Sequence, residues 1–214
     1  MIASRCIKTA AFALICTFLL SACAMDKYAQ NSLIRKNIHI TSTETFPHCH
    51  SYGCDKKAKI SFSADDWQQI ETAFTPAPQT PEDERRAIAR AIGVFETLAG
   101  TKAGTNYDKG GTFRRMMADG TQLDCVDESL NSTIYLTLLD RKGLLKFHSI
   151  GAPEVRLPLI HAGRWPHQTA TIIDKQNQIP YAADSWFHDN GYPAEVIPLE
   201  KWKKGWKPDA ILEH

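Results

Sequence analysis

Leu123-Asp124-Cys125-Val126-Asp127-Glu128-Ser129 is the stretch that decides how this chain is read. Asp124 is an N-cap residue type, and Asp127 and Glu128 carry the charge that the positive end of a helix dipole favours. A helix is therefore expected to start at Asp124 or Cys125. Val126, Leu130, Ile134 and Leu138 make its inward stripe, and Gly143 ends it. Cys125 then sits in the first turn, where backbone N–H groups are unpaired and the dipole lowers a thiol pKa toward the thiolate. The Cys125 amide is the expected donor to a developing oxyanion. The charge of Asp124 works against the thiolate.

Beyond Gly143 the pattern changes from helix to strand. Residues 145–150, 155–160, 167–173 and 179–186 read as strands, and Asp174-Lys-Gln-Asn-Gln178 reads as the turn between the last two. Paired residues of an antiparallel hairpin are symmetric about its turn and share a face. His167 and Asp184 are symmetric about Lys175–Gln176, which would set them directly opposite, with Cβ atoms roughly 4.5–5.5 Å apart. Asp174 and Asp189 do not meet this condition with His167, and His148 on an earlier strand, His161 in a Gly-containing loop and His188 beside a turn are weaker candidates. A thiol, an imidazole to take its proton and a carboxylate to orient the imidazole are the parts of cysteine-dependent acyl transfer.

Upstream, two helices are expected. Ser63 caps the first, whose buried stripe is Trp67, Ile70 and Phe74. Thr80 caps the second, with Pro81 at N1 and Gly100 just past its end; Ile88, Ala91, Ile92 and Phe95 face inward. Residues 101–122 read as a long glycine-bearing loop leading to Cys125. Residues 46–63 open the folded part with His48-Cys49-His50-Ser51-Tyr52-Gly53-Cys54. Two readings stand: a Cys49–Cys54 disulfide, which is favoured, and a zinc site on His48, Cys49, His50 and Cys54.

The first 22 residues read as a targeting signal: Arg5 and Lys8, an apolar run from Thr9 to Leu20, then Leu20-Ser21-Ala22-Cys23. That run is shorter than the roughly 20 apolar residues a membrane span needs. Leu-Ser-Ala-Cys resembles a bacterial lipobox, which implies cleavage before Cys23 and lipid, palmitate included, on that residue. Ala24 in the next position resembles the outer-membrane sorting pattern, so a periplasm-facing, lipid-anchored envelope protein is expected. Residues 23–45 read as its tether and residues 46–214 as a single domain. Without Arg5 and Lys8 the chain has 23 basic against 24 acidic residues, which argues against nucleic acid as a partner. An exported protein keeping Cys125 out of a disulfide points to a reactive thiol.

Asp124-Cys125-x-Asp127 at a helix start, His167-x-x-Ala170 on a strand and Tyr181-x-x-Asp184-x-Trp186 on the next resemble the transglutaminase-like cysteine peptidase superfamily. The resemblance covers roughly residues 120–190. It implies an α+β, papain-like core with the Cys helix packed on an antiparallel sheet. It also implies Cys125 as nucleophile, His167 as base and then acid, and Asp184 as orienter; an activity of this kind is expected to need no cofactor. Gln122, Tyr107 and Trp186 are the candidate side-chain oxyanion donors. NlpC-type peptidoglycan endopeptidases also begin with Asp-Cys, but continue with Ser or Thr and then Gly, where this chain has Val126-Asp127.

The expected function is a lipid-anchored amide hydrolase or transamidase acting on a peptide or protein of the envelope. The alternatives are a non-catalytic envelope lipoprotein that uses the same fold for binding or assembly, and an NlpC-type peptidoglycan endopeptidase.

Overall fold

The computed structural model describes residues 27–112, 120–157 and 166–210. The signal segment, Cys23 and His161 lie outside the described residues, as does part of the strand expected over 155–160. Residues 27–35 form helix α1. A hairpin follows, β1 (Thr45–His50) and β2 (Lys56–Ser61), then helices α2 (Ala64–Thr72), α3 (Pro81–Ala103) and α4 (Cys125–Arg141). Strands β3 (His148–Arg156), β4 (His167–Asp174), β5 (Pro180–Asp184) and β6 (Glu195–Pro198) come next, and the short helix α5 (Leu199–Lys203) closes the series. The chain is thus α+β, with an antiparallel sheet of order β3-β4-β5-β6 separate from the β1-β2 pair. Among the described residues no helix is long and apolar enough to cross a membrane.

Local signals placed the helix starts correctly. Ser63 with Asp66, Thr80 with Asp83 and Asp124 with Asp127 each form a reciprocal capping box, in which two otherwise unpaired N–H groups find acceptors. The far end of α3 differs from the expectation: it runs through Gly100 to Ala103, and Gly104, at φ 79°, is its cap. Gly100 sits mid-helix because a Cβ there would lie 2.9 Å from Asn190 Oδ1 and 3.1 Å from Asn106 Cα. It marks a close approach and not an end.

Helix α4 lies on β4, flanked by β3 and β5, with α3 and β1 on its other sides. Its predicted stripe therefore understates its burial, since Asp127 through Leu139 are all buried. Phe95 of α3 stacks on Tyr135 of α4 at 4.6 Å and takes Trp67 of α2 edge-on at 5.6 Å. Phe62 lies against Phe95 at 5.7 Å and against Phe46 of β1 at 4.9 Å, so this aromatic group joins hairpin and helices.

Three further expectations are corrected. The tether expected over residues 23–45 gives way from residue 27, where α1 packs: Ala29, Leu33 and Ile38 are buried in the main core. The strands expected at 145–150 and 155–160 are one strand, β3, with a break in register between Gly151 and Glu154. Residues 146–148 give their amides instead to the buried Glu84 carboxylate, at 2.6–3.0 Å, and so stay out of the ladder until His148. Strand β6 falls in a segment that had been read only as tail, and at four residues it is too short to show a period.

The β4–β5 register is also shifted. Ile173 pairs with Pro180 and Ala170 with Ala183, so the hairpin's centre lies one residue later than Lys175–Gln176. Asp174 is the cause. Its side chain accepts from Gln176 N at 2.8 Å and its carbonyl from Gln178 N at 2.9 Å, with Gln178 left-handed at φ 61°, which lengthens the turn. A shift of two positions keeps every side chain on its face. Asp184 and His167 become diagonal neighbours and not direct partners.

Candidate active site

His167 opens β4 and Asp184 ends β5. The His167 Nε2–Asp184 Oδ2 distance is 2.8 Å, and both residues are buried. The same carboxylate oxygen accepts from Trp202 Nε1 of α5 at 2.6 Å. Trp202 is held in turn by Arg156, which donates to the Trp202 and Trp206 carbonyls at 2.8 Å and lies 4.6 Å over the Trp202 ring. The His167 ring is packed by Trp186, Phe187 and Trp202, at centroid distances of 4.5, 5.3 and 5.4 Å. Its Nδ1 is buried with no hydrogen-bond partner among the described residues. An imidazole fixed on one nitrogen and unsatisfied on the other is set to accept a proton.

Cys125 approaches from the other layer. Gln168, Ala170 and Ile172 alternate toward α4, so His167 points to the α5 face of the sheet. The two faces meet because the β4–β5 ladder stops at Ala170–Ala183. In the gap beyond it, the Gln168 amide faces the Cys125 sulfur, which also feels the Asp184 charge. Cys125 packs with Trp186 and Phe187, the residues that also flank His167. Cys125 and His167 thus share Trp186 and Phe187 as neighbours at the end of the sheet, and His167 Nδ1 makes no hydrogen bond to the sulfur.

The expectation of a lowered thiol pKa is overturned. Burial pushes the Cys125 thiol up to about 12, and the carboxylates of Asp124 and Asp184 act in the same direction against the Gln168 amide. Cys125 is only 8% exposed. Desolvation exceeds the helix dipole here, so the resting thiol is protonated at neutral pH.

The loop 51–54 bears on the same helix terminus. Cys49 and Cys54 form the disulfide. Ser51, Tyr52, Gly53 and Cys54 are all left-handed, with φ of 60–70°. For the three residues other than glycine this costs roughly 1 kcal/mol or more each. What holds them is carboxylate: Tyr52 N and Cys54 N donate to Asp127 at 2.8 and 2.7 Å, and Gly53 N to Asp124 at 3.0 Å. Successive amides aimed one way make an anion nest, here filled by the carboxylates that cap α4. With both sulfurs bonded to each other and both His48 nitrogens engaged, by Tyr135 at 3.0 Å and Thr105 at 3.3 Å, the zinc reading loses its ligands.

Two of the side-chain oxyanion candidates are otherwise committed. Gln122 Nε2 donates to the Tyr107 carbonyl at 2.9 Å while its Oε1 accepts from Lys109 N, and Trp186 Nε1 donates to Thr112 O at 3.2 Å. Tyr107 itself points into solvent, 77% exposed. Asp124 takes the Val126 and Asp127 amides, at 3.0 and 2.9 Å, and leaves the Cys125 amide outside that cap. His188 bonds Glu195 at 2.8 Å, and His148 bonds Glu84 at 2.9 Å, so both have structural partners.

Sequence reading missed a buried acid group behind the site. Glu128 accepts from Ser185 Oγ at 2.5 Å and lies near Glu96 of α3, whose Oε2 accepts from Gly191 N at 3.2 Å and whose Oε1 is buried with no hydrogen-bond partner among the described residues. Burial, and then the charge of Glu128, holds the Glu96 carboxyl well above its ordinary range. Burial also raises Glu128. Asp108 rises to about 9 through burial, then the charge of Glu128, although it accepts from Leu123 N at 2.6 Å. Asp127 rises to about 7 through burial and then Asp124. Burial and mutual charge oppose ionisation of both carboxyls at once. The signal was Glu96 on an otherwise apolar helix face beside Ile92, Phe95 and Ala99. Trp202 gave none, because its role depends on where α5 docks.

Comparison with known proteins adds nothing to this geometry: no family model, no curated protein and no solved structure matches the chain.

Proposed function

We propose that this protein is an envelope lipoprotein, anchored through Cys23, whose papain- or transglutaminase-like core breaks or exchanges amide bonds of a peptide or protein substrate. The observation that carries the reading is the Trp202–Asp184–His167 chain ending in an unsatisfied Nδ1, with Trp186 and Phe187 packed against both the His167 ring and Cys125. Because the thiol is protonated at rest, proton removal accompanies attack and does not precede it. His167 Nδ1 takes the Sγ proton as sulfur adds to the carbonyl carbon, and Asp184 offsets the charge of the imidazolium. The Cys125 amide faces the oxyanion. Collapse expels the amine, which leaves with the proton from His167, and a thioester remains on Cys125. Water, losing a proton to His167, then gives a carboxylic acid and the free thiol; an amine gives a new amide.

A specific observation favours a second reading. Cys125 is buried, with its thiol up at about 12, as suits a structural residue in a binding or assembly module. Chloroacetamide labelling at neutral pH separates the two. A working base makes Cys125 of the wild type react roughly 100-fold faster than Cys125 of a His167→Ala variant. Equal rates, together with full complementation by Cys125→Ala in the producing cell, would leave only the binding module.

A further inference from the structure

The charge of the chain is segregated in a way the proposed chemistry does not use. Residues 27–60 contain six Lys and Arg against two acidic residues, leaving 17 against 22 elsewhere in residues 23–214. The structure leaves all six exposed and sets Lys36, Lys57 and Lys59 together where α1 meets the β1–β2 hairpin. Helix α1 turns Ala29 and Leu33 inward and leaves Tyr28 and Ile34 63% and 52% exposed. On β2, Lys56, Lys57 and Lys59 are exposed. A groove runs between Asn37 and His39 on one side and Lys57 and Lys59 on the other, and His39 also borders the neighbouring groove that contains Ile34. Lys36 and Lys57 donate to the backbone carbonyls of Gly53 and Cys54, at 2.9 and 3.4 Å, contacts that hold each ammonium in place without cancelling its charge.

From these observations we infer that the face made by α1 and the β1–β2 hairpin rests on an anionic phospholipid surface. The ammonium groups lie against headgroup phosphates, and Tyr28 and Ile34 sit at the water–lipid boundary. Exposed apolar side chains flanked by Lys and Arg are the make-up of an interfacial segment. Position adds to chemistry. The described chain begins four residues after Cys23, a reach of about 14 Å at full extension. A lipid on Cys23 would therefore hold this face, and not the acidic remainder, within reach of the bilayer. A single acyl signal binds membranes marginally, and a basic patch is a standard second signal. The inference shares the anchoring part of the proposed function but requires no catalysis.

The test removes the lipid and asks whether the face binds unaided. The chain from position 23, carrying Cys23→Ser, is sedimented with phosphatidylglycerol-containing vesicles and with phosphatidylcholine vesicles. Binding is expected to the anionic vesicles only and to fall steeply as salt rises. Removing one Lys near an anionic surface weakens binding about five-fold, so Lys57→Glu/Lys59→Glu is expected to cost at least 25-fold. Lys204→Glu/Lys207→Glu, on exposed residues near the far end of the chain, is expected to change binding less than two-fold, given an anionic field that fades over about 10 Å. All four lysines are exposed, so the variants fold. Equal binding to both vesicle types, no binding to either, or equal losses in the two double variants would each overturn the inference. The mass of the natural N-terminal peptide reports lipid attachment separately, and Cys125 labelling reports the chemistry.

Discussion

The two halves of α4 are buried to the same depth by different means. Ile134, Tyr135, Leu136, Leu138 and Leu139 fill the C-terminal half and pack into the main apolar core. The N-terminal half buries Cys125, Asp127, Glu128, Ser129, Asn131 and Ser132. There each polar group needs its own partner. Asn131 takes Cys49 N at 2.7 Å and returns a bond to Cys49 O at 3.0 Å, acting toward β1 as a neighbouring strand would. Ser129 receives Gln168 Nε2 at 2.7 Å. The difference teaches that the apolar half can tolerate loose specification, while the polar half requires three other segments to arrive in register.

Stability measurements can break this comparison. Leu138→Ala, in the apolar half, is expected to lose about 3 kcal/mol in urea unfolding, whereas Ser132→Ala, whose hydroxyl only shares a bond with Ser185, is expected to lose less than about 1 kcal/mol. Similar losses would make the two halves equivalent. Next in size is the disulfide. Cys49→Ser/Cys54→Ser frees a short loop, with an expected loss of about 2 kcal/mol. Because that loop's amides neutralise Asp127, the same variant is expected to expose Cys125 to labelling; unchanged labelling would separate loop from site.

A smaller effect comes from Trp202→Phe, which keeps an aromatic ring but removes one donor to a charged acceptor, a loss of about 1.5 kcal/mol. Its sharper readout is the pH profile of Cys125 labelling, which moves only if Trp202 acts through Asp184 and His167. The smallest effect at acid pH belongs to Asp108→Asn. Asp108 titrates near 3.8 unfolded and at about 9 folded, so the folded state binds the extra proton between those values. Its contribution is complete below the unfolded value and is lost as pH rises through the folded one. The melting temperature is expected to fall from pH 5 to pH 9, and less steeply in Asp108→Asn, whose carbonyl oxygen still accepts from Leu123 N. Parallel curves would remove Asp108 from the proton-holding group.

What could be read in advance was local. The capping boxes at Ser63, Thr80 and Asp124 lie within four consecutive residues each, and all three helices start where those residues place them. The apolar faces of α2 and α3 followed from period alone. The shared face of His167 and Asp184 was legible because a two-residue error in register preserves parity. Their diagonal arrangement was not, since it depends on how Asp174 shapes its turn. Helix α1 was hidden because it buries only Ala29 and Leu33, too few apolar positions to show a stripe.

The sequence by itself determined the helix starts and the strand character of the C-terminal half, because each rests on neighbours a few residues apart, and strand parity set His167 and Asp184 on one face. Tertiary structure alone decided the thiol's protonation, the left-handed course of Ser51–Cys54, the Trp202 contact and the raised carboxyls of Glu96 and Glu128. Those depend on desolvation and on partners 18 to 75 residues distant, and no local pattern encodes how much water a folded chain will exclude.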